Sequence, residues 1–552
     1  MKRAGIVLLF ALAAPLAAQY TENIEVRITN VDVVVTDRAG KPVPGLGMDD
    51  FIVLENGKPQ PITNLYEVRE SKAETTAAGR AAEPAFEPPP QQKRRHFVFF
   101  IDNYSLTFER NGVLKSLRRF LDRNLQPEDD VMVVTWDRII EVVQPFTSKR
   151  AEIDAALAKV DKRGPHGAVL DAEKERAVDL AVEILEAGQQ KNAKASRSGL
   201  PTPPTPSQLD EVKSIAVAFS EEARSIQRRL LDSLHAMLTT MGGIEGRKVL
   251  VFAGAYLPER PGLEIFERFA ARMAQKSLDP SLMQEVDVNR KYIEPQADEI
   301  AKVARHANAE GVTMYTIFAE DPVNVRDDPQ KFVEYSNSAV AFASLADMTG
   351  GTMLTKTPNY DVIFNTVARD VISYYSLGYA PADDEPGQRS IVVKTKNPEY
   401  SVRSRKSYVI KTNDERAGDG VIANMVQLPP KNDIPVTLTL GELRKEGRNQ
   451  YLVPVDVTIP TTAVTLFQDG EVMAGGFTVY IAAGTKDGGL SPVSKREQVI
   501  RLPPATIAAL QAKPLLFHAE ILVGKGENIL SVGVVDRLSN AAGYARVPVV
   551  AR

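Results

Sequence analysis

The hydrophobic and polar positions of this chain follow different periods in different parts. Residues 20–70 alternate apolar and polar positions, as in IEVRITNVDVVVTD, and turn-forming residues such as Asn56-Gly57 separate the runs. This alternation predicts a small antiparallel β module of about four strands. Residues 71–95 lack any period and are rich in Ala, Glu and Pro, which predicts a linker.

From His96 onward, continuous apolar runs alternate with helical patterns. The runs FVFFID, DDVMVVTW, GRKVLVFAG and GVTMYTIFA are typical of strands buried on both faces. The segment DRIIEVVQPF follows the second run closely, and we expect it to pair antiparallel with that run at the edge of the sheet. Strands separated by helices predict an α/β fold class, with a central doubly wound, mostly parallel sheet.

Amphipathic patterns predict the helices that cover this sheet. Apolar positions three and four residues apart indicate helices at 112–123, 149–160, 294–309 and 338–348. Ser148 is the predicted cap of the second of these helices.

Residues 170–241 interrupt the α/β pattern and are predicted to be a helical insertion. Residues 170–190 have a helical pattern, 191–207 are predicted to be disordered, and 208–241 predict one long helix that ends at Gly242-Gly243. At 1.5 Å per residue this helix is about 50 Å long, which is more than one sheet layer covers. Its outer half either forms a helical hairpin with 170–190 or meets a partner, and we expect an intramolecular hairpin.

The remainder of the chain returns to strand patterns. SYYSLGYAP (373–381) and residues 389–410 are predicted to be strands that close the middle domain, which gives it the bounds 96–410. About seven short runs in 434–552 are typical of a β-sandwich, assigned to 430–552.

Composition limits the class of protein. A chain of 552 residues exceeds one hydrophobic core and predicts three or four domains. The net charge of −4 excludes a global attraction to nucleic acid or to an anionic membrane. Because the sequence has no cysteine, thiol catalysis, disulfides and cysteine zinc sites are excluded.

The first residues have the layout of a secretory signal. Basic Lys2-Arg3 precede an apolar run from Ile6 to Leu16, and Ala17-Ala18 follow. This predicts a signal peptide at 1–18, and the alternative is an anchor that is never cut. The run is too short to span a bilayer, and no later segment is long and apolar enough to do so. We therefore expect an exported protein in the periplasm, at the cell surface or outside the cell.

Three passages resemble the bacterial family of secreted von Willebrand factor type A-related proteins. They are VDVVVTDRAGKPVPGLGMDDFIVLENGKPQPI, HFVFFIDNYSL and YYSLGYAPADDEPGQRSIVVKTKNPEYSVRSRKSY, which together span roughly 20–410. The resemblance implies a von Willebrand factor A-like domain at 96–410. In such domains, oxygen ligands from three loops at one end of the sheet bind Mg²⁺ or a similar cation.

The ligand positions implied by the resemblance are mostly lost in this chain. Of the first-loop pattern D-x-S-x-S only Asp102 remains, with Tyr104 and Leu106 in the serine positions. Ala168 and Ala253 stand in the positions of the second-loop threonine and the later aspartate. One carboxylate cannot hold Mg²⁺ against its hydration shell. We therefore expect a degenerate site with no metal and no cofactor, in which Asp102 caps the next helix or bonds loop amides.

The sequence offers no catalytic motif. The five histidines are scattered without zinc-binding spacing, and no nucleophile elbow, P-loop or dinucleotide fingerprint is present. We therefore expect a non-enzymatic, adhesion-type protein that binds another protein and no nucleic acid.

Open α/β sheets bind ligands at the loops that follow the carboxyl ends of their strands. The candidate contacts on that ligand face are Asp102, Tyr104, Ser105, His166 and Tyr256. Two alternatives remain. One is a Mg²⁺-dependent adhesin with a rearranged site at Asp102, Ser105 and Thr107. The other is an envelope hydrolase with its site in 430–552.

Overall fold

The computed structural model describes most of the chain. The described residues are 28–69, 72–74, 94–195, 205–275, 293–321, 326, 329–355, 360–381, 383, 385–426, 432–485, 489–507 and 513–552. The predicted signal peptide at 1–18 lies outside them, as does most of the predicted linker at 71–95. Within that linker segment, residues 72–74 form a strand.

Alternating side chains produce short strands at the start of the described chain. These strands are β1 Thr29–Thr36, β2 Phe51–Glu55, β3 Lys58–Gln60, β4 Ile62–Arg69 and β5 Lys72–Glu74. The Asn56-Gly57 pair adopts positive φ at both residues and turns the chain between β2 and β3, as the sequence predicts.

The middle of the chain forms one six-stranded sheet. Its strands are β6 Arg95–Asp102, β7 Asp130–Trp136, β8 Ile140–Thr147, β9 Arg247–Gly254, β10 Val312–Phe318 and β11 Met353–Thr355. The spatial order is β11-β10-β9-β6-β7-β8, and every pair is parallel except β7 with β8. The first strand lies in the middle and the chain winds to one edge and then to the other, which is doubly wound order. The predicted mostly parallel sheet with an antiparallel edge strand is confirmed.

Helices cover both faces of this sheet. They are α1 Glu109–Asn124, α2 Arg150–Lys162, α3 Gly167–Ala195, α4 Pro206–Gly242, α5 Leu263–Gln275, α6 Ala297–Ala309, α7 Pro329–Thr349 and α8 Asp361–Ile372. Buried residues of α1, α2 and α8 share one core with the sheet, and those of α4, α6 and α7 share the other. The predicted cap of α2 is wrong, because Lys149 rather than Ser148 occupies the N-cap position and no side chain bonds there.

The insertion forms an intramolecular helical hairpin, as expected. The second half of α4, including Leu230, Leu234 and Leu238, packs on the sheet. Its first half, including Leu209 and Val212, packs with α3 and α5 in a separate core. The apolar stripe of α4 therefore contributes to two cores, one along each half of the helix, and the same helix packs on the sheet and in the hairpin.

The next four strands leave the parallel sheet. They are β12 Ser373–Tyr379, β13 Gly387–Thr395, β14 Ser401–Ser404 and β15 Ser407–Ile410. They complete two antiparallel sheets with the first strands of the chain, in the orders β14-β1-β12-β4-β5 and β15-β13-β2-β3. Val31, Leu65, Leu377 and Ile391 lie in their shared core. The expectation that 373–410 closes the middle domain is therefore corrected, since these strands belong with those of 29–69.

The last part of the described chain is antiparallel. Helix α9 Asn413–Val426 leads into it. Its strands are β16 Thr437–Leu440, β17 Arg444–Lys445, β18 Gln450–Ile459, β19 Leu466–Asp469, β20 Val472–Thr485, β21 Ser494–Leu502, β22 Leu515–Gly524, β23 Gly526–Asp536 and β24 Ala542–Ala551. One sheet is centred on β18 and the other on β20 and β23, and their apolar faces share one core.

Within the described part of the chain, none of the helices has both the length and the apolar character that crossing a bilayer requires.

Candidate functional site

Three loops meet at the carboxyl end of the parallel sheet. The first follows β6, the second leads into α3, and the third follows β9. The backbone N–H of His166 donates to the Asn103 carbonyl and that of Gly167 donates to the Leu106 carbonyl, each at 2.9 Å. The first two loops are therefore joined directly by main-chain hydrogen bonds.

The Asn103 side chain strengthens this junction. Its amide donates to the Gly164 carbonyl at 3.1 Å, and its side-chain oxygen accepts from the buried Arg110 guanidinium at 2.6 Å. Sequence reasoning did not identify Asn103 or Arg110. The sequence signals for these two residues are weak. Asn103 directly follows Asp102, and Arg110 is a charged residue on the first turn of an amphipathic helix.

The Asp102 carboxylate is fully buried and is bonded within its own loop. One of its oxygens accepts the N–H groups of Tyr104 and Ser105, both at 3.1 Å. The other accepts the Ser105 hydroxyl at 2.5 Å. The predicted bonding to loop amides is confirmed. The alternative role as a helix cap is not adopted, because α1 begins at Glu109 and Phe108 is its N-cap.

Burial controls the protonation of Asp102. Loss of solvent raises the pKa of this carboxyl to about 7, although the hydrogen bonds from Ser105 and Tyr104 act in the opposite direction. A carboxyl with this pKa is partly protonated near neutral pH.

Ser105 joins the first loop to the third. Its hydroxyl donates to Asp102 and accepts the N–H of Ala255 at 2.9 Å, just after the end of β9. The backbone at 255 is thereby fixed against the β6 loop.

The donor set at Asp102 does not fit a divalent cation. Both carboxylate oxygens and the Ser105 hydroxyl are committed to loop hydrogen bonds, and Leu106 is buried in the apolar core. Ala253 lies in the sheet, between Ile101 and Ile317 in register, and supplies no side-chain oxygen. Among the described residues, no group of three or more His, Asp or Glu side chains is arranged to hold a metal.

Two further candidate contacts, Tyr104 and Ser105, are buried and cannot reach a partner in this conformation. The Tyr104 ring packs edge-on against Trp136 at 5.6 Å between centroids, and the Arg138 guanidinium carbon lies 5.1 Å from the same ring centroid. Together with Asp102, these residues stabilise the loops from inside. Their assignment as ligand contacts is therefore corrected to an internal, positioning role.

His166 remains at the surface. About half of its side chain is exposed, and its Nδ1 lies 2.7 Å from an Asp137 carboxylate oxygen in the β7–β8 turn. This exposed pair contributes at most about 1 kcal/mol to stability. It ties the start of α3 to the β7–β8 turn and so brings that turn to the same rim.

Tyr256 is partly buried and contacts side chains of α3 and α5. Its hydroxyl donates to the buried Glu264 carboxylate of α5, and the Lys174 ammonium of α3 lies 4.4 Å from its ring centroid. Lys174 also donates to Glu334 of α7 at 2.9 Å. Burial raises the pKa of Tyr256 well above its usual value, so the phenol stays protonated as a donor. This network anchors α3, α5 and α7 to the end of β9.

Exposed apolar side chains at this rim were not predicted as contacts. Phe108 is 77% exposed at the end of the first loop, and Ile139 is 73% exposed in the β7–β8 turn. Val169, on the first turn of α3, is 54% exposed. Phe108 and Ile139 are the two most exposed large apolar residues of the described chain. The position of Phe108, a large aromatic residue in the loop between a strand and a helix, was a sequence signal for an exposed contact.

Replacing Ser105 by alanine is expected to lower the free energy of unfolding by about 2 kcal/mol, because the buried Ala255 N–H and Asp102 oxygen lose their partner. Urea denaturation measures this change. Ser148→Ala, at an exposed serine that caps no helix, is the matched control and should change stability by less than about 0.5 kcal/mol. Equal stability of the Ser105 variant and the control would contradict the bridging role.

In the segment suggested for a hydrolase site, His518 and Asp456 form an exposed cross-strand pair. They are register partners on β22 and β18, with 2.7 Å between His518 Nδ1 and an Asp456 oxygen. The only hydrogen bond of the His518 ring among the described residues is this one to Asp456. No observation at this position favours an enzymatic function.

Comparisons with known proteins give only distant similarities. The chain matches no family model and no curated protein. Among solved structures, a structural genomics target, SoR45, aligns with 14% identity over 22% of this chain and 88% of its own, at a TM-score of 0.15. The human COPII-coat protein Sec24c aligns with 8% identity over 59% of this chain and 45% of its own, at 0.20.

Three N-terminal domains of the type V pili tip protein Mfa5 from Porphyromonas gingivalis align with 9% identity over 78% of this chain and 75% of that chain, at a TM-score of 0.23. Similarities this low carry no inference about function. The chain is a mixed α/β protein with one largely parallel six-stranded sheet and several antiparallel sheets.

Proposed function

We propose that this chain is an exported, non-enzymatic protein that binds another protein through the rim at the carboxyl end of its parallel sheet, without a bridging cation. The observation that carries the proposal is the exposure of Phe108 and Ile139 at that rim, together with that of Val169 on the first turn of α3. Exposed apolar groups that share one rim indicate an interaction site, whereas isolated ones are ordinary.

The surroundings of these side chains also support binding. Hydrogen bonds join the loops that carry Phe108 and Val169, and the His166–Asp137 pair joins the turn that carries Ile139. A surface fixed in this way loses little conformational entropy when a partner binds. Aromatic residues that become buried at the centre of an interface contribute a large share of the binding energy.

The family proposed for the middle domain is that of the von Willebrand factor A-like domains. The doubly wound order of the sheet and the three resembling passages support this proposal. The hydrogen-bonded, buried state of Asp102 supports the proposal of binding without a cation.

The test uses a partner captured by the mature protein from envelope fractions and then purified. Phe108→Ser combined with Ile139→Ser is expected to weaken its binding by at least about tenfold, since truncated interface anchors cost more than about 1 kcal/mol each. Surface plasmon resonance measures the affinity, with and without EDTA. The matched control combines Val499→Ser and Leu516→Ser, which alter similarly exposed residues of the C-terminal sheets.

Binding that EDTA abolishes would favour the Mg²⁺-dependent alternative and contradict this proposal. Equal losses in the rim variant and the control variant would show that the rim is not the binding surface. Hydrolysis of a substrate in a broad screen by the purified chain would contradict the non-enzymatic assignment.

A further inference from the structure

Two of the five scattered histidines face each other on neighbouring helices. His235 of α4 and His306 of α6 are 71 positions apart in sequence, yet their Nδ1 atoms lie 2.7 Å apart. The rings meet edge to edge, with 5.0 Å between centroids and 26° between planes. Both residues are partly exposed in the groove between the helices, and the His306 side chain is 23% exposed.

The hydrogen bonds around His306 define its tautomer. Thr239 donates its hydroxyl proton to the His235 carbonyl at 3.0 Å, so its oxygen acts as an acceptor towards His306 Nε2, which is 3.3 Å away. A carboxylate oxygen of Glu310 also lies 3.3 Å from Nε2. Because both neighbours of Nε2 are acceptors, Nε2 carries the proton, and the lone pair of neutral His306 is at Nδ1, directed at His235.

This arrangement matches the requirements of a metal-binding imidazole. A ligating histidine binds through one nitrogen while its other N–H donates to a carboxylate that fixes the ring. Glu310 occupies that position for His306. When the remaining proton of His235 moves to its Nε2, the lone pairs of both Nδ1 atoms face the space between the rings.

We propose that His235 and His306 form a binding site for a divalent transition-metal ion of the zinc class, bound through both Nδ1 atoms. Imidazole nitrogens select Zn²⁺, Cu²⁺ and Ni²⁺ over Mg²⁺ and Ca²⁺. Two Zn–N bonds of about 2.0–2.1 Å in tetrahedral geometry place the nitrogens about 3.3 Å apart, so the two Nδ1 atoms separate by about 0.6 Å and each ring turns to direct its lone pair at the metal. The two histidines supply the protein ligands, and water completes the coordination.

Charged side chains of both signs lie near the pair. The carboxylates of Asp232 and Glu299 lie near His235, and Glu299 is paired with Lys302 at 2.7 Å. Burial, followed by the proximity of His306, lowers the pKa of His235.

The experiment is an isothermal titration of the full mature chain, freed of metal by a chelator and dialysed, with zinc chloride. One site of micromolar affinity is expected. His235→Gln and His306→Gln are each expected to weaken it by more than about tenfold. The matched control is His518→Gln, which removes an exposed histidine on β22 and should leave the affinity unchanged.

A second measurement needs no variant. Diethyl pyrocarbonate modifies accessible histidines of the wild-type chain, and mass spectrometry locates the adducts. Zinc should protect His235 and His306 and leave His518 reactive. The inference is overturned if the titration shows no saturable site, if both glutamine variants bind as the wild type does, or if zinc leaves the reactivity of His235 and His306 unchanged.

Discussion

Replacing Gly167 by alanine is expected to lower the free energy of unfolding of the α/β domain by about 3 kcal/mol. A Cβ atom at this position would lie closer to the Ser105 carbonyl oxygen than van der Waals contact allows, and 2.7 Å from that of Leu106. Both obstacles are backbone atoms and cannot rotate away. The start of α3 would have to move, which would break the hydrogen bond from the Gly167 N–H to Leu106.

The fluorescence of Trp136 provides a measurement specific to this domain. Trp136 is the single tryptophan of the chain, and it is buried against Tyr104 beneath the rim. Urea titrations followed at this residue therefore report on the α/β domain rather than on the antiparallel sheets. The matched control is Gly164→Ala, three residues earlier, where a Cβ atom meets nothing within 4 Å and the change should be below about 0.5 kcal/mol. Equal effects at 164 and 167 would show that the close approach does not hold the loops together.

The second large effect concerns the pH dependence of stability through Asp102. Burial raises the pKa of this carboxyl from 3.8 in the unfolded chain to about 7 in the folded one. The folded state therefore binds the proton more tightly. Its stabilising contribution is largest at low pH and is lost as the pH rises through 7. Between pH 5 and pH 8, this group alone should lower the free energy of unfolding by roughly 2–3 kcal/mol.

Asp102→Asn isolates this contribution because the amide is never ionised. The difference in stability between the wild type and this variant should shift by roughly 2–3 kcal/mol between pH 5 and pH 8, in favour of the variant at the higher pH. Urea titrations followed at Trp136 at both pH values measure it. Asp154→Asn, at an aspartate of α2 that is about half exposed, should show no such shift. If Asp102→Asn has the same pH dependence as the wild type, the carboxylate is ionised throughout this range and burial does not raise its pKa as expected.

The local pattern of apolar residues was sufficient to predict the strands of the parallel sheet and the helices of the insertion. The runs that became β6, β7, β9 and β10 are continuously apolar because both of their faces are covered, and few other environments produce such runs. Helix α4 was predicted almost to its bounds, since its apolar stripe extends over ten turns and two glycines end it.

Pairing between distant strands could not be predicted in the same way. The alternation in β12 predicts a strand but not its neighbours, and those neighbours, β1 and β4, both lie more than 300 residues earlier. Helix α9 was missed because its sequence includes Gly418 and Gly420, which disfavour an isolated helix. Its stability comes from packing of Val421 and Met425 against Tyr480 and Tyr544 of the C-terminal sheets.

At the candidate site, too, contacts with distant parts of the chain could not be predicted, in this case for individual side chains. The residue types around Asp102 were enough to predict that it bonds loop amides. They did not show that Tyr104 points inward and Phe108 outward, although both are aromatic residues of one loop. Tyr104 is covered because Leu170 and Ile226 of the insertion pack in the same core, and that packing depends on the hairpin.

The division of the first pair of antiparallel sheets between two distant stretches has a consequence for biogenesis. Strands β1 to β4 leave the ribosome before β12 to β15, with the whole α/β domain between them. At 5–20 residues per second, roughly 15–60 s pass before β1, β2 and β4 can pair with their partners among β12 to β14. Throughout this interval the apolar faces and unpaired edges of these strands can aggregate. A chaperone that holds the chain would therefore act during this interval and bind these strands.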